Sequence, residues 1–428
     1  MLKLLALELW NFRGIGHLKL DFTQRTTAFV GVNGVGKSAV LDALAIALSQ
    51  LTWRINEQAN KARPIAQDDI RLGAEFARVA VRVDFNGDKA QWALALNRSA
   101  KLRKAAGDDP LRNSDLSEVN ALAHRINTDW TEWTLHKGLA WNLPLAVFYD
   151  VNRAVLEVPM RVREKLVHHP SEVYGDALDH GGADFKRFFI WFRNCEDVEN
   201  ERRLDEPSFR DSDLEAVRRA IAVFTDFRQL RIRRKPLLRM TVEKQGTELN
   251  VSQLSDGERN MLALVGDLSR RLAILNPGLD NPNEGSGVVL IDEIDLHLHP
   301  GWQRTVVAKL ESTFPNCQFV VSTHSPQVLG ELKPESVMLL RGGALLGHAE
   351  RSLGLSSGEV LEELMEGTAR NAVVDAELSS IRALLDKDDI TNARMRLDTL
   401  RAKVGDIPQV LELQATTQSL QWLEDGQA

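Results

Sequence analysis

The sequence predicts an α/β fold in which helices flank a mixed sheet. A short apolar run, Thr26–Val30, leads through a glycine-rich loop into a helical pattern that begins near Lys37. Two more short apolar runs, Val288–Ile291 and Phe319–Val321, come much later in the chain, and polar residues follow each of them. The pattern between these two halves is mostly helical, so we expect a helical insertion. Beyond about residue 355 the strand pattern stops, which indicates a helical tail.

Hydrophobic periodicity predicts the elements of the first hundred residues. Residues 2–9 and His17–Phe22 predict a β-hairpin around the turn at Asn11–Gly16. Arg78–Phe85 alternates apolar and polar residues at period two, which predicts a further strand. The segment 99–118 is rich in Lys, Arg, Asp and Ser and predicts an exposed loop.

The later elements follow from the same patterns. Residues 118–220 are mostly helical in pattern, with one strand expected near Pro144–Asp150. Arg231–Val242 alternates again and predicts a strand. The tail predicts a helical hairpin formed by 375–386 and 389–404. We expect four regions, namely lobe I of a head, a largely helical insertion, the rest of the head and a C-terminal helical tail, at 1–98, 99–225, 226–345 and 346–428.

Composition limits the class of protein. The chain has 428 residues, with 53 Lys and Arg against 60 Asp and Glu, a net charge of −7. This balance excludes a surface that binds polyanions everywhere, although one basic patch remains possible. Cys195 and Cys317 are too few for a zinc site or a disulfide framework, and they fit a reducing compartment. No apolar run reaches the roughly 18 residues of a membrane span, so we expect a cytoplasmic protein without a membrane contact.

The glycine-rich loop Gly31–Ser38 reads GVNGVGKS, which is a complete GxxxxGK(S/T) phosphate-binding pattern between a strand and a helix. Its glycines let backbone N–H groups converge on phosphate oxygens, and the helix N-terminus adds partial positive charge. The ammonium of Lys37 would neutralise the β- and γ-phosphates of ATP, and the hydroxyl of Ser38 would ligate Mg²⁺. The predicted ligands in this loop are Asn33, Gly34, Gly36, Lys37 and Ser38.

The apolar run Val288–Ile291 delivers two carboxylates, Asp292 and Glu293, at its end. Alone this is a weak signal, but after a complete phosphate-binding loop it is typical of the Walker B strand. Asp292 would hold Mg²⁺ through its water shell, and Glu293 would polarise the attacking water. The alternative is a strand that ends in a solvated acidic turn.

Residues Gln253–Arg259 read QLSDGER and directly precede a helical pattern. They place Ser255 and Gly257 at a helix N-terminus, which can bind an anion. The sequence resembles the ABC ATPase signature LSGGQ, with Asp256 and Glu258 in place of Gly and Gln. An ordinary helix N-cap at Ser255 is the alternative, but the position before the Walker B strand favours the signature.

His324 follows the strand Phe319–Val321, which is the switch position of ABC ATPases. An imidazole there can hydrogen-bond the γ-phosphate. His297 and His299 lie at period-two spacing just past the Walker B strand. They could suggest a metal site, but we favour a turn that shapes a subunit interface.

Gln67 is the candidate for a glutamine loop that ligates Mg²⁺ and reports the nucleotide state, because it precedes the strand Arg78–Phe85. The alternative is a plain surface glutamine.

A basic cluster lies between residues 228 and 239, with six cations and no acid. It is either a solvated strand face or a contact for nucleic acid or an acidic partner. Its members are Arg228, Arg231, Arg233, Arg234, Lys235 and Arg239.

Together these motifs resemble the non-transporter ABC ATPases of the SMC, RecF and OLD kind. The opening Leu9–Ile15 and the segment Asp292–Pro300 match that group better than they match transporter ATPases, and the resemblance covers roughly residues 1–345. It implies an ABC-type P-loop ATPase head. The chain departs from SMC proteins because it lacks a heptad run long enough for a coiled-coil arm. It departs from OLD nucleases because the tail offers no Toprim metal site.

A closer resemblance is to the PtuA-like ATPases of Septu and some retron anti-phage systems. It rests on Tyr149–Arg153, on Asp184–Phe192, on the signature and on the short helical tail. The resemblance implies an ATPase that dimerises on nucleotide and regulates a separate PtuB-like HNH nuclease. One alternative is a RecF- or SMC-like repair or clamp ATPase that binds DNA directly, and a weaker one is a transporter subunit. The predicted catalytic residues are Lys37, Glu293 and His324.

Overall fold

The computed structural model describes residues 1–32, 34, 36–56, 61–138, 141–151, 173–179, 185–365, 367 and 370–425. The chain separates into two compact units, Met1–Leu355 and Ser356–Ala428. The first unit contains the sheets, and the second is helical. Among the described helices, none is both long and apolar enough to cross a membrane.

A six-stranded sheet forms the centre of the first unit. Its strands are β3 (Thr26–Val30), β6 (Leu145–Tyr149), β10 (Gly287–Ile291), β11 (Cys317–Ser322), β12 (Val337–Arg341) and β13 (Ala344–His348). The order is β13-β12-β3-β11-β10-β6, and only β13 runs antiparallel to its neighbour. Every residue of β3, β6, β10 and β11 is buried, which explains why these strands are almost unbroken apolar runs. The parallel arrangement brings the carboxyl ends of β3, β10 and β11 to one edge.

The first unit also contains helices. They are α1 (Lys37–Asn56), α2 (Ala100–Ala106), α3 (Ser117–Thr131), α4 (Phe185–Asp205), α5 (Ser212–Thr225), α6 (Asp256–Leu275), α7 (Pro300–Thr313) and α8 (Pro326–Leu329). Helix α1 is buried over most of its length and packs against β6 and β11. Helix α6 packs against α4, α5 and β6. The structure therefore confirms the α/β fold and the helical segment interrupted by a strand near Pro144–Asp150.

An antiparallel sheet carries the N-terminal hairpin. It consists of β1 (Leu2–Phe12), β2 (Ile15–Asp21), β4 (Phe76–Phe85) and β5 (Asp88–Asn97), in the order β2-β1-β4-β5. The indole Nε1 of buried Trp92 on β5 donates to the Ala47 carbonyl of α1 at 2.9 Å. This hydrogen bond fixes the sheet against the helix that follows the glycine-rich loop.

A third sheet has three antiparallel strands, β7 (Arg228–Arg233), β8 (Arg239–Lys244) and β9 (Thr247–Asn250). The prediction of one strand over 231–242 is therefore wrong, because a turn that contains Pro236 separates β7 from β8. Proline has no N–H to give to a strand ladder. After β9, a single 3₁₀ turn leads into α6.

The prediction of a loop over 99–118 is also wrong in part, because α2 lies within it. Ser99 caps this helix, since its side chain accepts a hydrogen bond from the Leu102 amide at 3.3 Å. The Lys and Arg residues that suggested an exposed loop are also good helix formers.

The second unit consists of α9 (Ser357–Leu364), α10 (Ala372–Leu385), α11 (Ile390–Val404) and α12 (Pro408–Asp425). Helices α10 and α11 confirm the predicted hairpin. Buried side chains from three of these helices, among them Ile381, Leu397 and Val410, form one apolar cluster.

Candidate nucleotide-binding site

The glycine-rich loop joins β3 to α1 at the carboxyl edge of the central sheet. Gly34 and Gly36 have φ angles of +82° and +106°, in the region that side chains disfavour. A Cβ on Gly36 would lie 3.3 Å from the Ile15 side chain, so a larger residue would have to displace that side chain by a few tenths of an ångström. Asn33, also predicted to bind phosphate, lies outside the described residues.

Lys37 lies at the start of α1 and is buried, with 6 % of its surface exposed. Its ammonium donates to the carbonyls of Gly31 at 2.8 Å and Val32 at 3.4 Å. Burial lowers the pKa of Lys37, while the nearby charges of three carboxylates act to raise it, those of Asp292, Glu293 and Asp295. The ammonium therefore faces the Walker B edge. The next residue, Ser38, is exposed at the helix start.

The Walker B carboxylates follow β10, between β6 and β11. Asp292 is buried, and its amide donates to the Tyr149 carbonyl at 2.8 Å. The Ser322 hydroxyl donates to Asp292 Oδ1 and accepts from the Glu293 amide at 2.8 Å. Glu293 has a φ of +46°, a left-handed conformation that is uncommon for a residue with a side chain. Ser322 thus holds the Asp292 carboxylate and the backbone of Glu293 in a defined turn.

Asp295 connects this turn to the loop that carries His324. Its Oδ1 accepts from the Thr323 hydroxyl at 2.5 Å and from the His324 amide at 3.3 Å. Burial, followed by the charge of Lys37, lowers the pKa of the half-buried His324, which favours the neutral imidazole. Sequence reasoning missed Asp295 and Ser322 as site residues. The position of Asp295, three residues after Asp292, was a usable signal, whereas nothing in the pattern singled out Ser322.

Ser255 caps α6, as the alternative interpretation of its motif expected. The Ser255 hydroxyl hydrogen-bonds Glu258 Oε2 at 2.8 Å, and the Ser255 amide donates to the same oxygen at 3.0 Å. The Lys244 ammonium on β8 pairs with the other oxygen of Glu258 at 2.5 Å. The anion-binding role of Ser255 stays a prediction, because its described hydrogen bonds lie within its own motif rather than with the glycine-rich loop.

Gly257 brings α6 against the turn after the Walker B strand. A Cβ at Gly257 would lie 2.4 Å from the carbonyl oxygen of His297, so only glycine fits without displacement. His299 accepts a hydrogen bond from the Gly301 amide at 3.2 Å and caps α7. The described residues contain no cluster of three His, Cys, Asp or Glu side chains suited to a metal ion. His299 thus has a structural role at the start of α7.

Gln67 is exposed on a 3₁₀ turn, Gln67–Asp69, before β4. Arg13 joins this turn to α1, because its side chain hydrogen-bonds Asp69 at 2.8 Å and also pairs with Asp42. Arg63 holds the other oxygen of Asp42 at 2.7 Å. The structure therefore ties the turn to the helix that carries Ser38, but the role of Gln67 in binding Mg²⁺ stays a prediction.

Comparison with known proteins identifies the family. Residues 26–330 match the family described as "AAA domain, putative AbiEii toxin, Type IV TA system". The chain belongs to this family. It is 31% identical to the Retron Ec83 probable ATPase of Escherichia coli, over 86% of this chain and 77% of that protein. It is also 31% identical to the Retron Vc95 probable ATPase of Vibrio cholerae, over 94% and 86%.

A more distant relative confirms the PtuA-like resemblance. The Septu protein PtuA of Bacillus mycoides is 25% identical over 84% of this chain and 43% of that protein. With the motifs and the family in agreement, the chain is a P-loop ATPase.

In this AAA-domain ATPase the basic cluster between residues 228 and 239 is partly neutralised. Arg233 binds both oxygens of Glu248, and Arg234 pairs with Glu196 and Asp197 on α4. These acids lie outside the cluster in sequence, so composition of the segment alone could not reveal them. Among the described residues, no ion pair of Arg228, Lys235 or Arg239 is found.

Proposed function

We propose that two copies of this chain close around ATP and that the ATP-dependent dimer controls a partner nuclease in anti-phage defence. The observation that carries the proposal is that parallel β3, β11 and β10 bring the glycine-rich loop and the Walker B turn to one edge of the sheet, where the charges of Asp292 and Glu293 act on Lys37. Ser255 makes its described hydrogen bonds elsewhere. A signature that acts on nucleotide held by the partner subunit fits this separation.

Each side chain of the site has its own role in phosphoryl transfer. Lys37 would neutralise the terminal phosphates, while the Ser38 hydroxyl would ligate Mg²⁺ and the Asp292 carboxylate would hold the ion through its water shell. This donor set fits Mg²⁺, which keeps several waters and needs few protein ligands. Glu293 orients the attacking water as general base, and neutral His324 donates a hydrogen bond to the γ-phosphate. Gln67 is proposed as a further Mg²⁺ ligand.

The role in anti-phage defence and the nuclease partner are inferred from the relatives rather than from the nucleotide-binding site. The Septu and retron ATPases are named for defence systems, which supports the same role here. The PtuA-like resemblance makes an HNH nuclease the proposed partner. Dimer closure and opening would change the surface presented to that nuclease.

Glu293→Gln tests the proposal, because it keeps the shape of the side chain and removes the base. We expect the variant to bind ATP, to lose turnover by at least about 100-fold and to accumulate as a dimer, measured by phosphate release and light scattering. The control is Glu335→Gln, because Glu335 is exposed on a separate turn. We expect this variant to have the turnover and the oligomeric state of the wild type. Wild-type turnover by the Glu293 variant would contradict the assignment.

Direct DNA binding is a second candidate function, and the third sheet favours it. The register pairs Arg233 with Arg239 and Arg231 with Thr241, so Arg231, Arg233 and Arg239 share one face. Glu248 already neutralises Arg233, whereas no ion pair of Arg239 is found among the described residues, so Arg239 is the cation on this face that a phosphate backbone would neutralise.

Arg239→Gln should then weaken DNA binding and flatten its salt dependence by about one unit of slope. Arg304→Gln on α7, whose arginine pairs with Glu331, serves as the control. Equal salt slopes for the two variants would contradict binding at this face.

A further inference from the structure

A buried charged network holds α6 inside the first unit. Asp267 has no exposed surface and accepts from Arg270 Nη2 at 2.6 Å and from Arg271 Nε at 2.7 Å. Burial alone would raise the pKa of Asp267, but the charges of Arg271 and Arg270 lower it below its ordinary value. Arg271 also donates to the Val173 carbonyl. The carboxylate is therefore ionised in the interior.

The network reaches the central sheet through a tyrosine. The Tyr149 hydroxyl donates to Asp267 Oδ2 at 3.1 Å, and Tyr149 is completely buried. Burial, reinforced by the charge of Asp267, raises the pKa of Tyr149, which keeps the phenol protonated as a donor. Tyr149 is thus a hydrogen-bonded link between α6 and β6.

The same tyrosine positions the Walker B turn. It is the last residue of β6 and lies beside Ile291 in the parallel register. Its carbonyl accepts the Asp292 amide at 2.8 Å. One residue therefore holds the backbone of the Walker B aspartate on one side and the signature helix on the other.

We propose that Tyr149 is a positioning residue that couples the signature at the start of α6 to the Walker B turn of the same chain. At about 1.5 Å per residue, Asp267 lies roughly 18 Å along α6 from Ser255. A helix this well packed transmits a displacement of its N-terminus. Nucleotide engaged by Ser255 at one site of the dimer thereby adjusts Asp292 and Glu293 at the other. This inference rests on the proposed ATP dimer.

The chain provides a matched control, because it contains one other tyrosine, Tyr174. Tyr174 is also buried, and its hydroxyl donates to the Pro144 carbonyl at 2.7 Å. Pro144 directly precedes β6, so Tyr174 anchors the strand at the end far from the Walker B turn. Tyr→Phe at either position removes one buried hydroxyl and one hydrogen bond.

The experiment compares Tyr149→Phe and Tyr174→Phe in the full chain. We expect Tyr149→Phe to lower kcat by about tenfold with an unchanged KM for ATP, since one hydrogen bond to a charged group is lost. Tyr174→Phe should keep the wild-type kcat. Its thermal midpoint should nevertheless fall, as that of Tyr149→Phe does, because each variant loses one buried hydrogen bond. Equal kcat values for the two variants would overturn the coupling.

A double-mutant cycle with Ser255→Ala locates the route. If coupling runs through α6, Tyr149→Phe adds little to the kcat loss that Ser255→Ala already causes. Fully additive losses would overturn the proposed route. Light scattering of the Glu293→Gln variant with ATP separates the two proposals. If the Glu293→Gln variant stays a monomer with ATP, both the dimer and the coupling are rejected. If it forms a dimer but Tyr149→Phe and Tyr174→Phe have equal kcat values, only the coupling is rejected.

Discussion

Ser322→Ala tests whether the Ser322 hydroxyl orients the Walker B turn for catalysis or only stabilises the fold. The Ser322 hydroxyl, with no exposed surface, makes one hydrogen bond to the Asp292 carboxylate and one to the Glu293 amide. A bond to a charged group contributes about 1.5–3 kcal/mol and a neutral one about 0.5–1.5 kcal/mol. We therefore expect a loss of roughly 2–4.5 kcal/mol in the free energy of unfolding, measured in urea.

The larger effect is expected on catalysis. Glu293 occupies a left-handed conformation that its amide bond to Ser322 helps to hold. A displacement of the base by about 1 Å can cost about 100-fold in rate, so kcat should fall by that order while KM stays unchanged. Phosphate release under saturating ATP measures the change.

The control is Ser312→Ala, whose exposed hydroxyl donates only to the Lys309 carbonyl at 3.1 Å. It should change stability by less than about 0.5 kcal/mol and leave kcat unaltered. If Ser322→Ala loses stability but retains the wild-type kcat, the hydroxyl is structural and does not orient Glu293.

Further outcomes concern pH, metal and packing. Burial and the charge of Lys37 lower the pKa of His324 from 6.5, so the imidazole stays neutral at pH 7. The acid limb of the pH profile of kcat should therefore lie below pH 6.5, and His324→Gln should remove that limb. Chelation of Mg²⁺ should weaken ATP binding by at least about tenfold in titrations, because several carboxylates surround one ammonium. Gly257→Ala should destabilise the chain by about 1–3 kcal/mol, whereas Gly14→Ala, with open space around it, should not.

The sequence predicted the elements whose signals are local. The loop at Gly31–Ser38 and the carboxylates after β10 combine residue types and neighbouring strands that the chain itself displays. The sheet then brings them together because parallel strands share one carboxyl edge. By contrast, Asp267 looks like a surface acid beside two arginines, yet it is fully buried.

Partners from distant parts of the chain explain the remaining differences. Periodicity could not reveal that Glu196 and Glu248 neutralise arginines of the basic cluster, because these pairs form only after α4 and the third sheet have folded. The same holds for Ser322, whose neighbours Asp292 and Glu293 follow the adjacent strand β10. Hydrogen bonds across a sheet leave no periodic signal in either strand.

The contact at Gly257 strengthens the argument for coupling. Helix α6 touches the turn after β10 at its first residues and, through Tyr149, touches the strand beside β10 near its middle. Two separate contacts resist rotation of the helix as well as translation, so its start cannot shift without moving the Walker B turn. Loss of Tyr149 alone leaves the Gly257 contact in place, which is why we expect a partial loss of kcat. When Tyr149→Phe is combined with Gly257→Ala, the loss of kcat should exceed the sum of the two single losses. The reason is that the contact at Gly257 then no longer compensates for the lost contact through Tyr149.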